Sequence, residues 1–330
     1  MASMQYNKEK LNTLLIEAVV TRNIENVKSL LKRGADVDAR DEDGSTAMML
    51  AAWSGHLDTV KYLVENGADV NLTNKFGWTA MMLAAEYESS DIVKYLLEKG
   101  AKIDVKDKSG WTAMMHAAKY GRLGTLKYLV DHGADVNATD NDGNTAMMLA
   151  ARGGYLDTVK YLVERGADVN ATNNNGNTAM MLAARGGHLD IVKYLVARGA
   201  DPNLTNKFVE TAMMLAARGG HLDIVKYLVA RGADPNLTNK SGWTAMMLAA
   251  WAGHLDIVKY LVDNGADPSL KNNKGETAAM VAIKNNHKDI ADYLNSVMQF
   301  TEEIIRGINK SNRDFALDPE LLRILRTPKE

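Results

Sequence analysis

The chain contains 330 residues, with 39 lysine and arginine residues against 41 aspartate and glutamate residues, and it has no cysteine. This balance of charge argues against a dedicated nucleic-acid-binding domain, which usually carries a strong excess of positive charge. The lack of cysteine excludes disulfides, thiolate metal sites and cysteine nucleophiles. No apolar run approaches the length of a membrane-spanning helix, and the first residues, MASMQYNKEK, lack the apolar core of a signal peptide. We therefore expect neither membrane insertion nor secretion.

A four-residue motif, Thr-Ala-Met-Met, recurs at a constant interval of 33 residues. Its threonines are Thr46, Thr79, Thr112, Thr145, Thr178, Thr211 and Thr244. One further step in each direction reaches Thr277 and Thr13, so nine units, numbered repeats 1 to 9, cover about residues 8–297. A fixed period of this length is typical of a repeat array, in which each unit buries its apolar face against its neighbours.

Each repeat is predicted to contain two helices and a turn, as repeat 2 illustrates. Thr46 stands at the N-cap of a first helix, AMMLAA, and Gly55 ends that helix. A second helix ends at Asn66-Gly67, and its apolar stripe consists of Leu57, Val60, Leu63 and Val64. The segment ADVNLTNKFGW then supplies turn residues. Because two short helices cannot bury their apolar faces alone, the fold depends on stacking.

The 33-residue period, the segments GHLDIVKYLV and GADVN, and the run from Asp41 to Thr46 together resemble the ankyrin-repeat family. The resemblance implies an all-α solenoid in which each repeat contributes a helix-turn-helix and a β-hairpin-like loop. One departure is systematic, because the family's usual Thr-Pro-Leu-His becomes Thr-Ala-Met-Met. The family's histidine joins neighbouring repeats by hydrogen bonds, so Met49 and its counterparts are expected to join them by packing.

The two ends of the array differ from its interior. Glu17 in repeat 1 and Lys288 and Asn295 in repeat 9 replace apolar residues of the inner repeats, as capping repeats require. We predict five segments: residues 1–7 as an N-terminal extension, 8–40 as an N-terminal capping repeat, 41–271 as seven internal repeats, 272–297 as a C-terminal capping repeat and 298–330 as a helical tail.

The tail contains two predicted helical stretches. The apolar face of the first consists of Phe300, Ile304 and Ile308, and Asp318-Pro319 has the form of an N-cap followed by proline at the first helical position. The segment LDPELLRIL, from Leu317 to Leu325, resembles the opening of an F-box, although it is one residue short of that pattern. F-boxes follow ankyrin arrays in poxviral and some intracellular bacterial proteins, and the resemblance implies an adaptor for ubiquitin ligation.

Large aromatic side chains occupy positions outside the repeat signature. In ankyrin proteins these positions face the concave side of the array, and exposed aromatic rings mark interfaces. The same position that holds tryptophan after LAA in repeats 2 and 8 holds arginine in repeats 5, 6 and 7, where a guanidinium group can bind carboxylates or phosphates. The predicted partner-binding residues are Trp53, Phe76, Trp78, Tyr87, Trp111, Tyr120, Arg152, Arg185, Phe208, Arg218, Trp243 and Trp251.

Other recurring residues are assigned structural roles. The methionine doublets are expected to pack between repeats. Five histidines share the position before the second helix, where a local turn or capping role is expected, namely His56, His188, His221, His254 and His287. They are too far apart to share a metal ion. His116 replaces the leucine of the first helix and is predicted to make a partly buried polar contact.

The second helices carry a recurring Lys-Tyr pair. Lys61 and its counterparts follow an aspartate by three residues in most repeats, which predicts a solvated and ion-paired helix face. The tyrosines are expected to pack between second helices. In repeat 7, Val209 stands where other loops have glycine, so this loop is either reshaped for a contact or strained.

We interpret the chain as a non-enzymatic scaffold for protein–protein recognition. No phosphate-binding glycine loop, zinc motif or nucleophile–base pair is visible, so no catalytic residue, metal or cofactor is expected. The expected partner is a protein with an acidic or phosphorylated patch rather than nucleic acid or membrane, and the chain is expected to be monomeric and cytoplasmic, or delivered into a host cytosol if it is a bacterial or viral effector. The alternatives are a designed or consensus-like repeat protein without a natural partner, and the ubiquitin-ligase adaptor.

Overall fold

The computed structural model describes the backbone of residues 2–311 and the side chains of residues 7–303. Within this range the chain is helical and no strand forms, although isolated antiparallel bridges join Arg40 to Thr46 and Thr139 to Thr145. These bridges close the loops that precede two of the first helices, so the loops are hairpin-like without becoming strands. The chain divides into two compact units, Met1–Asp168 and Val169–Glu330, called unit 1 and unit 2.

Unit 1 contains repeats 1 to 5, each with a first and a second helix. Its helices are α1 Ala2–Val20, α2 Ile24–Lys32, α3 Ala47–Trp53, α4 Leu57–Glu65, α5 Ala80–Glu86, α6 Ser90–Glu98, α7 Ala113–Lys119, α8 Leu123–Asp131, α9 Ala146–Gly153 and α10 Leu156–Glu164. Each first helix packs on the second helix of its own repeat and on the first helices of the neighbouring repeats.

Unit 2 contains repeats 6 to 9 and follows the same plan. Its helices are α11 Ala179–Gly186, α12 Leu189–Ala197, α13 Ala212–Gly219, α14 Leu222–Ala230, α15 Ala245–Ala252, α16 Leu255–Asp263, α17 Ala278–Lys284 and α18 Lys288–Ser311. The first helices α11, α13, α15 and α17 pack in sequence, and α17 also packs on α18.

The threonine of the motif is the N-cap of every first helix from α3 to α17, whereas the equivalent Thr13 lies inside α1. The side-chain oxygen of Thr46 accepts a hydrogen bond from the backbone N–H of Met49 at 3.3 Å, which satisfies a donor that the helix itself leaves free. The sulfur of Met49 accepts in return from the backbone N–H of Thr46 at 3.4 Å, and Met82 does the same for Thr79. The methionine that replaces the family's histidine therefore contributes to the cap as well as to packing.

The methionine doublets and the alanines around them form the core between first helices. All fourteen methionines of the seven doublets are 2% exposed or less, which confirms their predicted packing role. Small alanines at positions such as Ala51 and Ala52 let neighbouring helices approach, while the long and unbranched methionines fill the gaps. Val60 and Leu63 of α4 are fully buried and join the second helix to this core.

In four repeats, an asparagine in the loop after the second helix ties the repeat to the next one. The side-chain oxygen of Asn71 accepts from the backbone N–H of Lys102 at 2.8 Å, and its amide group donates to the carbonyl oxygen of Gly100 at 3.2 Å. Equivalent amide-to-glycine bonds are made by Asn137, Asn170 and Asn236. These bonds set the spacing between loops within each unit, and hence the positions of the side chains that the loops carry.

The terminal helices run through two of the predicted segment boundaries. Helix α1 begins at Ala2, so residues 2–7 belong to it, and α18 continues past residue 297 to Ser311. On α17, Met280 and Ile283 remain about half exposed, and no further repeat among the described residues packs on them. Phe300 on α18 is also exposed. The F-box-like segment and Asp318-Pro319 lie outside the described residues.

Candidate partner-binding surface

Aromatic side chains lie exposed at the carboxyl ends of first helices in unit 1. Trp53 is the last residue of α3 and Tyr87 directly follows α5, and they are 46% and 48% exposed. Their rings meet edge to face with centroids 5.8 Å apart. The two rings come from neighbouring repeats and contact each other, so they form one continuous apolar surface that is exposed to solvent in the free chain. Areas of this kind are typical of interaction sites.

The loops before the first helices hold a second group of aromatic residues in a fixed geometry. The side-chain oxygen of Asn74 accepts from the backbone N–H groups of Phe76 and Trp78 at 3.0 Å each. The carbonyl oxygen of Phe76 accepts from the backbone N–H of Lys108 in the next loop, also at 3.0 Å. Gly77, with φ of 82°, passes so close to that loop that a Cβ atom would stand 2.9 Å from the same nitrogen. The backbone is therefore fixed while the Phe76 ring stays exposed.

A buried histidine lies between two carboxylates in unit 1. His116 on α7 is 2% exposed, and its Nδ1 atom lies 3.1 Å from Oε2 of Glu86 at the end of α5. Its Nε2 atom lies 3.5 Å from Oδ2 of Asp107 in the loop before α7. Its ring is 4.4 Å from the Trp78 ring and 5.2 Å from the Trp111 ring, centroid to centroid. The predicted polar contact is thus present, and the side chain is fully rather than partly buried.

The three ionisable groups change one another's pKa values. Burial by itself disfavours the charged form of His116, but the neighbouring carboxylates of Asp107 and Glu86 outweigh burial, so the pKa of His116 is raised above its usual 6.5. Burial alone would raise the pKa values of Glu86 and Asp107, yet contact with His116 lowers both. Backbone N–H groups of Ser109 and Trp111 also donate to Asp107 and help keep it ionised.

These groups lie at one side of a pocket of about 640 Å³ whose aromatic lining is Trp78, Trp111 and Tyr120. The ammonium group of Lys119, the last residue of α7, lies 4.9 Å from the ring centroids of both Trp111 and Tyr120. The pocket therefore brings together three of the predicted partner-binding residues. Trp53, Phe76 and Tyr87 do not line it.

In unit 2 the corresponding positions are joined by an ion pair. Arg218, on α13, donates to Oε1 of Glu210 in the preceding loop at 2.9 Å. Glu210 is buried and also accepts from the side-chain amide of Asn206 at 3.1 Å. Arg218 is therefore half-buried and already bound to a carboxylate. Arg152, on α9 of unit 1, and Arg185, on α11 of unit 2, are exposed.

The loop of repeat 7 keeps the backbone geometry of the other loops despite its valine. The side-chain oxygen of Asn206 accepts from the N–H groups of Phe208 and Glu210, at 2.9 and 3.0 Å. Val209 has φ of 59°, in the left-handed region that β-branched residues strongly disfavour. Of the two alternatives open from the sequence, the structure thus favours strain over a reshaped loop. Phe208 is exposed, and its carbonyl oxygen accepts from the N–H of Lys240.

The remaining tryptophans of unit 2 differ in exposure. Trp251, near the end of α15, is 46% exposed, as its counterpart Trp53 is in unit 1. Trp243, in the loop before α15, is half-buried. Its backbone N–H donates to the side-chain oxygen of Asn239 at 3.0 Å, the same turn that holds Trp78. Trp251 therefore offers an exposed ring in unit 2, whereas Trp243 is partly covered.

Comparison with known proteins identifies the family to which these repeats belong. A family model described as ankyrin repeats in three copies matches residues 2–74, 66–140, 132–206 and 198–272, and one described as ankyrin repeats in many copies matches residues 252–294. The chain belongs to the ankyrin-repeat family. Ankyrin-repeat proteins typically act as non-enzymatic scaffolds that bind other proteins, so this general role is supported for the chain.

Two short ankyrin-repeat relatives come from one bacterium. A putative ankyrin repeat protein of Rickettsia felis is 51% identical over 56 residues, which are 17% of this chain and 89% of the relative. A second putative ankyrin repeat protein of the same species is 51% identical over 48 residues, which are 14% of this chain and 73% of the relative. The matches therefore concern the repeat itself and not the whole array.

The recurring histidines of these ankyrin repeats do not cap helices with their side chains. His188, His221 and His254 occupy N-cap positions, but none makes a side-chain cap bond. The ring of His221 instead lies over Gly187 of the preceding repeat, where a Cβ atom would stand 2.6 Å from it, and Nε2 lies 3.2 Å from the carbonyl oxygen of Arg185. The expected capping role is wrong for the side chain, which packs between repeats.

On the second helices of the ankyrin array, lysine side chains lie over tyrosine rings more often than they form ion pairs with aspartate. Close Lys-Asp pairs occur at Lys94 and Lys160, with distances of 3.6 and 3.9 Å to the preceding aspartate. More often the lysine lies over the tyrosine ring of the next repeat, as Lys61 does over Tyr95 at 5.9 Å and Lys127 over Tyr161 at 5.4 Å. Lys and Tyr side chains thus cover this second-helix face together.

Sequence analysis misses Glu86, Asp107 and Lys119 as members of the site. Glu86 and Lys119 share the repeat position of Trp53 and Arg152, which was the available signal, because this position varies while its neighbours are constant. Among residues 2–311 no group of histidine, aspartate and glutamate side chains is arranged to hold a metal ion. In the same range no helix combines the length and apolar character that crossing a bilayer requires.

Proposed function

We propose that the chain is a non-enzymatic scaffold that binds a protein partner on the first-helix face of each unit, defined as the loop tips and the carboxyl ends of the first helices. The observation that carries this proposal is the exposure of aromatic rings there. Trp53, Phe76 and Tyr87 in unit 1 and Phe208 and Trp251 in unit 2 are about half exposed. Buried tryptophan and tyrosine anchors dominate the energetics of many protein interfaces. The remaining predicted contacts of this face are Trp78, Trp111, Tyr120, Arg152, Arg185, Arg218 and Trp243.

The partner is proposed to present an acidic or phosphorylated segment to the arginine positions. A guanidinium group binds a carboxylate or phosphate through two parallel hydrogen bonds, which gives direction as well as charge. Arg218 already binds the carboxylate of Glu210 in the free chain, and a partner's anionic group would replace that contact. We further propose that the chain acts as a monomer in the cytosol, of its own cell or of a host. The lack of cysteine supports a reducing compartment.

The proposal is tested by affinity capture from native lysate, identification of the partner by mass spectrometry, and measurement of its binding to purified variants. Trp53→Ala and Trp251→Ala change exposed rings, so the fold should persist while each change weakens binding by about 1–4 kcal/mol through a faster off-rate. Joint replacement of Arg152, Arg185 and Arg218 by glutamate should weaken binding and reverse its dependence on salt. Circular dichroism checks that each variant is folded.

The matched control changes the same number of charges on the second-helix face. Joint replacement of Lys160, Lys193 and Lys226 by glutamate should leave affinity nearly unchanged, because these lysines lie on second helices. Binding that disappears with this control and persists in the tryptophan and arginine variants would show that the partner binds the second-helix face, and the assignment would be wrong.

A further inference from the structure

The pocket of unit 1 already holds a cation that belongs to the chain itself. Lys119 places its ammonium group at equal distance, 4.9 Å, from the Trp111 and Tyr120 rings, within the range at which aromatic faces attract cations. Lys119 is exposed, and it reaches the rings from the rim of the pocket. The aromatic lining is therefore arranged to receive a positive group, and the group now present can swing into solvent.

The charges around the pocket favour a cation once Lys119 has moved away. The remaining ionisable lining groups are the carboxylates of Glu86, Asp107 and Asp142, the ammonium group of Lys108, and His116. Three negative charges against one positive charge leave −2 with neutral His116 and −1 with protonated His116. The pocket is net negative in either state, so it attracts a positive group and disfavours a carboxylate.

One buried polar atom beside the pocket lacks a hydrogen bond. His116 is 2% exposed, and its Nε2 atom has no hydrogen-bonding partner, since Asp107 lies 3.5 Å away. In neutral His116, with the proton on the Nδ1 atom that faces Glu86, Nε2 is an acceptor. An N–H group of a guanidinium or ammonium ion can supply the missing donor. An unsatisfied buried atom of this kind calls for a partner.

We propose that this pocket receives a basic side chain, arginine or lysine, from the protein partner, and that Lys119 occupies its place in the free chain. The proposal rests on the proposed scaffold function and adds a specific anchor to it. The arriving cation packs against Trp78 and Trp111 while the carboxylates of Glu86 and Asp107 neutralise its charge. The partner therefore presents a basic residue to unit 1, in addition to the anionic segment proposed for the arginine positions.

The test titrates the full chain with N-acetyl-argininamide and N-acetyl-lysinamide and follows the tryptophan indole N–H signals by NMR. The chain has five tryptophans, and replacing Trp78 or Trp111 by phenylalanine assigns their signals. Both signals should shift with saturation at millimolar concentrations of one or both probes, and comparison of the two identifies the preferred side chain. N-acetyl-citrullinamide has nearly the shape of the arginine probe without its charge and should bind far more weakly.

Removal of the Lys119 ammonium group is the most discriminating part of the test. Lys119→Ala should tighten binding of the preferred probe by roughly threefold to tenfold, because the probe no longer competes with a tethered ammonium group. The matched control is Lys61→Ala, which removes a lysine stacked over Tyr95 on the second-helix face and should leave probe binding unchanged. Glu86→Gln should weaken binding, with circular dichroism to check folding.

A dependence on pH supplies an independent readout. The arginine probe keeps its charge between pH 6 and 9, so a change in affinity reports on the pocket. Deprotonation of His116 makes the pocket more negative and frees Nε2 as an acceptor. The other charged groups that line the pocket are Glu86, Asp107, Asp142, Lys108 and Lys119. Binding should therefore tighten as pH rises through the pKa of His116.

Three results would overturn the proposal: equal binding of the citrulline probe, weaker binding in Lys119→Ala, or no indole shift in any folded variant. Weaker binding in Lys119→Ala would assign the pocket to an anionic group that Lys119 contacts. None of these results depends on a captured partner. Failure of the anchor thus remains distinguishable from failure of the scaffold function, which the arginine and second-helix lysine variants test separately.

Discussion

Repeat 4 in unit 1 and repeat 7 in unit 2 place different residues on the same backbone. In repeat 7 the loop residue Glu210 binds Arg218 at the end of the first helix. In repeat 4 the equivalent residues are Trp111 and Lys119, and the cation lies over an aromatic ring instead of beside a carboxylate. Repeat 9 uses a third combination, in which Glu276 binds Lys284. These two positions behave as a coupled pair in which the loop residue satisfies the cation of the helix.

The interior of repeat 4 also differs from that of repeat 7. Leu215 is an apolar side chain that is buried, whereas its counterpart His116 needs Glu86 and Asp107 to hold a polar ring at the same depth. The Thr-Ala-Met-Met segment before this position and the two alanines after it are the same in both repeats. The array thus tolerates a polar substitution inside a first helix only because a neighbouring repeat and the preceding loop supply complementary charges.

The largest expected effect tests whether the two repeats share the same core. Met115→Ala in repeat 4 and Met214→Ala in repeat 7 both remove a side chain that is 1% exposed or less. Each should lower the free energy of unfolding by about 2–5 kcal/mol, because the cavity cannot fully collapse. Chemical denaturation followed by circular dichroism measures both. Unequal losses beyond that range would mean that the cores of the two units are packed differently.

Exchange of His116 and Leu215 between repeats 4 and 7 tests whether each residue depends on the neighbours in its own repeat. His116→Leu leaves the buried carboxylate of Asp107 and the half-buried carboxylate of Glu86 without their partner and should cost about 1–3 kcal/mol at pH 6. The reciprocal Leu215→His buries an imidazole without carboxylates and should also destabilise the chain. A His116→Leu variant as stable as the parent would show that the ionic cluster contributes no net stability.

The cost of His116→Leu should depend on pH with a definite sign. The pKa of His116 is raised above 6.5, so its contribution to stability is present below that pH and is lost as pH rises through the folded-state pKa. The pKa values of Glu86 and Asp107 are lowered, so their contribution is present above their usual 4.5 and 3.8 and is lost in stronger acid. The stability difference should be greatest between pH 4.5 and 6.5 and should shrink towards pH 9, as denaturation at several pH values would reveal.

The smallest expected effect concerns the strained loop of repeat 7. Val209→Gly relieves a left-handed backbone at a β-branched residue and should raise the free energy of unfolding by about 1 kcal/mol, after the entropy cost of glycine is subtracted. The reciprocal Gly110→Val in repeat 4 should lower it, because a Cβ atom there would stand 2.7 Å from the backbone nitrogen of Asn141. Loss of stability in Val209→Gly would mean that the valine side chain makes a compensating contact.

The repeat array could be predicted from the amino-acid sequence alone. The constant period, the capping threonine, the apolar stripe of each second helix and the glycines of the turns are local signals, and local signals decide helices whose only neighbours are copies of themselves. The burial of the methionine doublets followed from the same regularity. The partner-binding positions were predicted as residues that depart from the signature, and their use in binding remains a proposal.

The three-dimensional structure is needed to see which residues outside the repeat signature contact one another. Glu86 lies in repeat 3, His116 lies in repeat 4, and Asp107 lies in the loop before α7. Their spacing along the chain does not predict that the three side chains are in contact. The histidines before the second helices pack on glycines of the preceding repeat instead of capping their own helix, because stacking brings a neighbouring backbone within reach. Contacts between repeats depend on the direction of side chains and on the distance between stacked backbones. The 33-residue period of the sequence specifies neither.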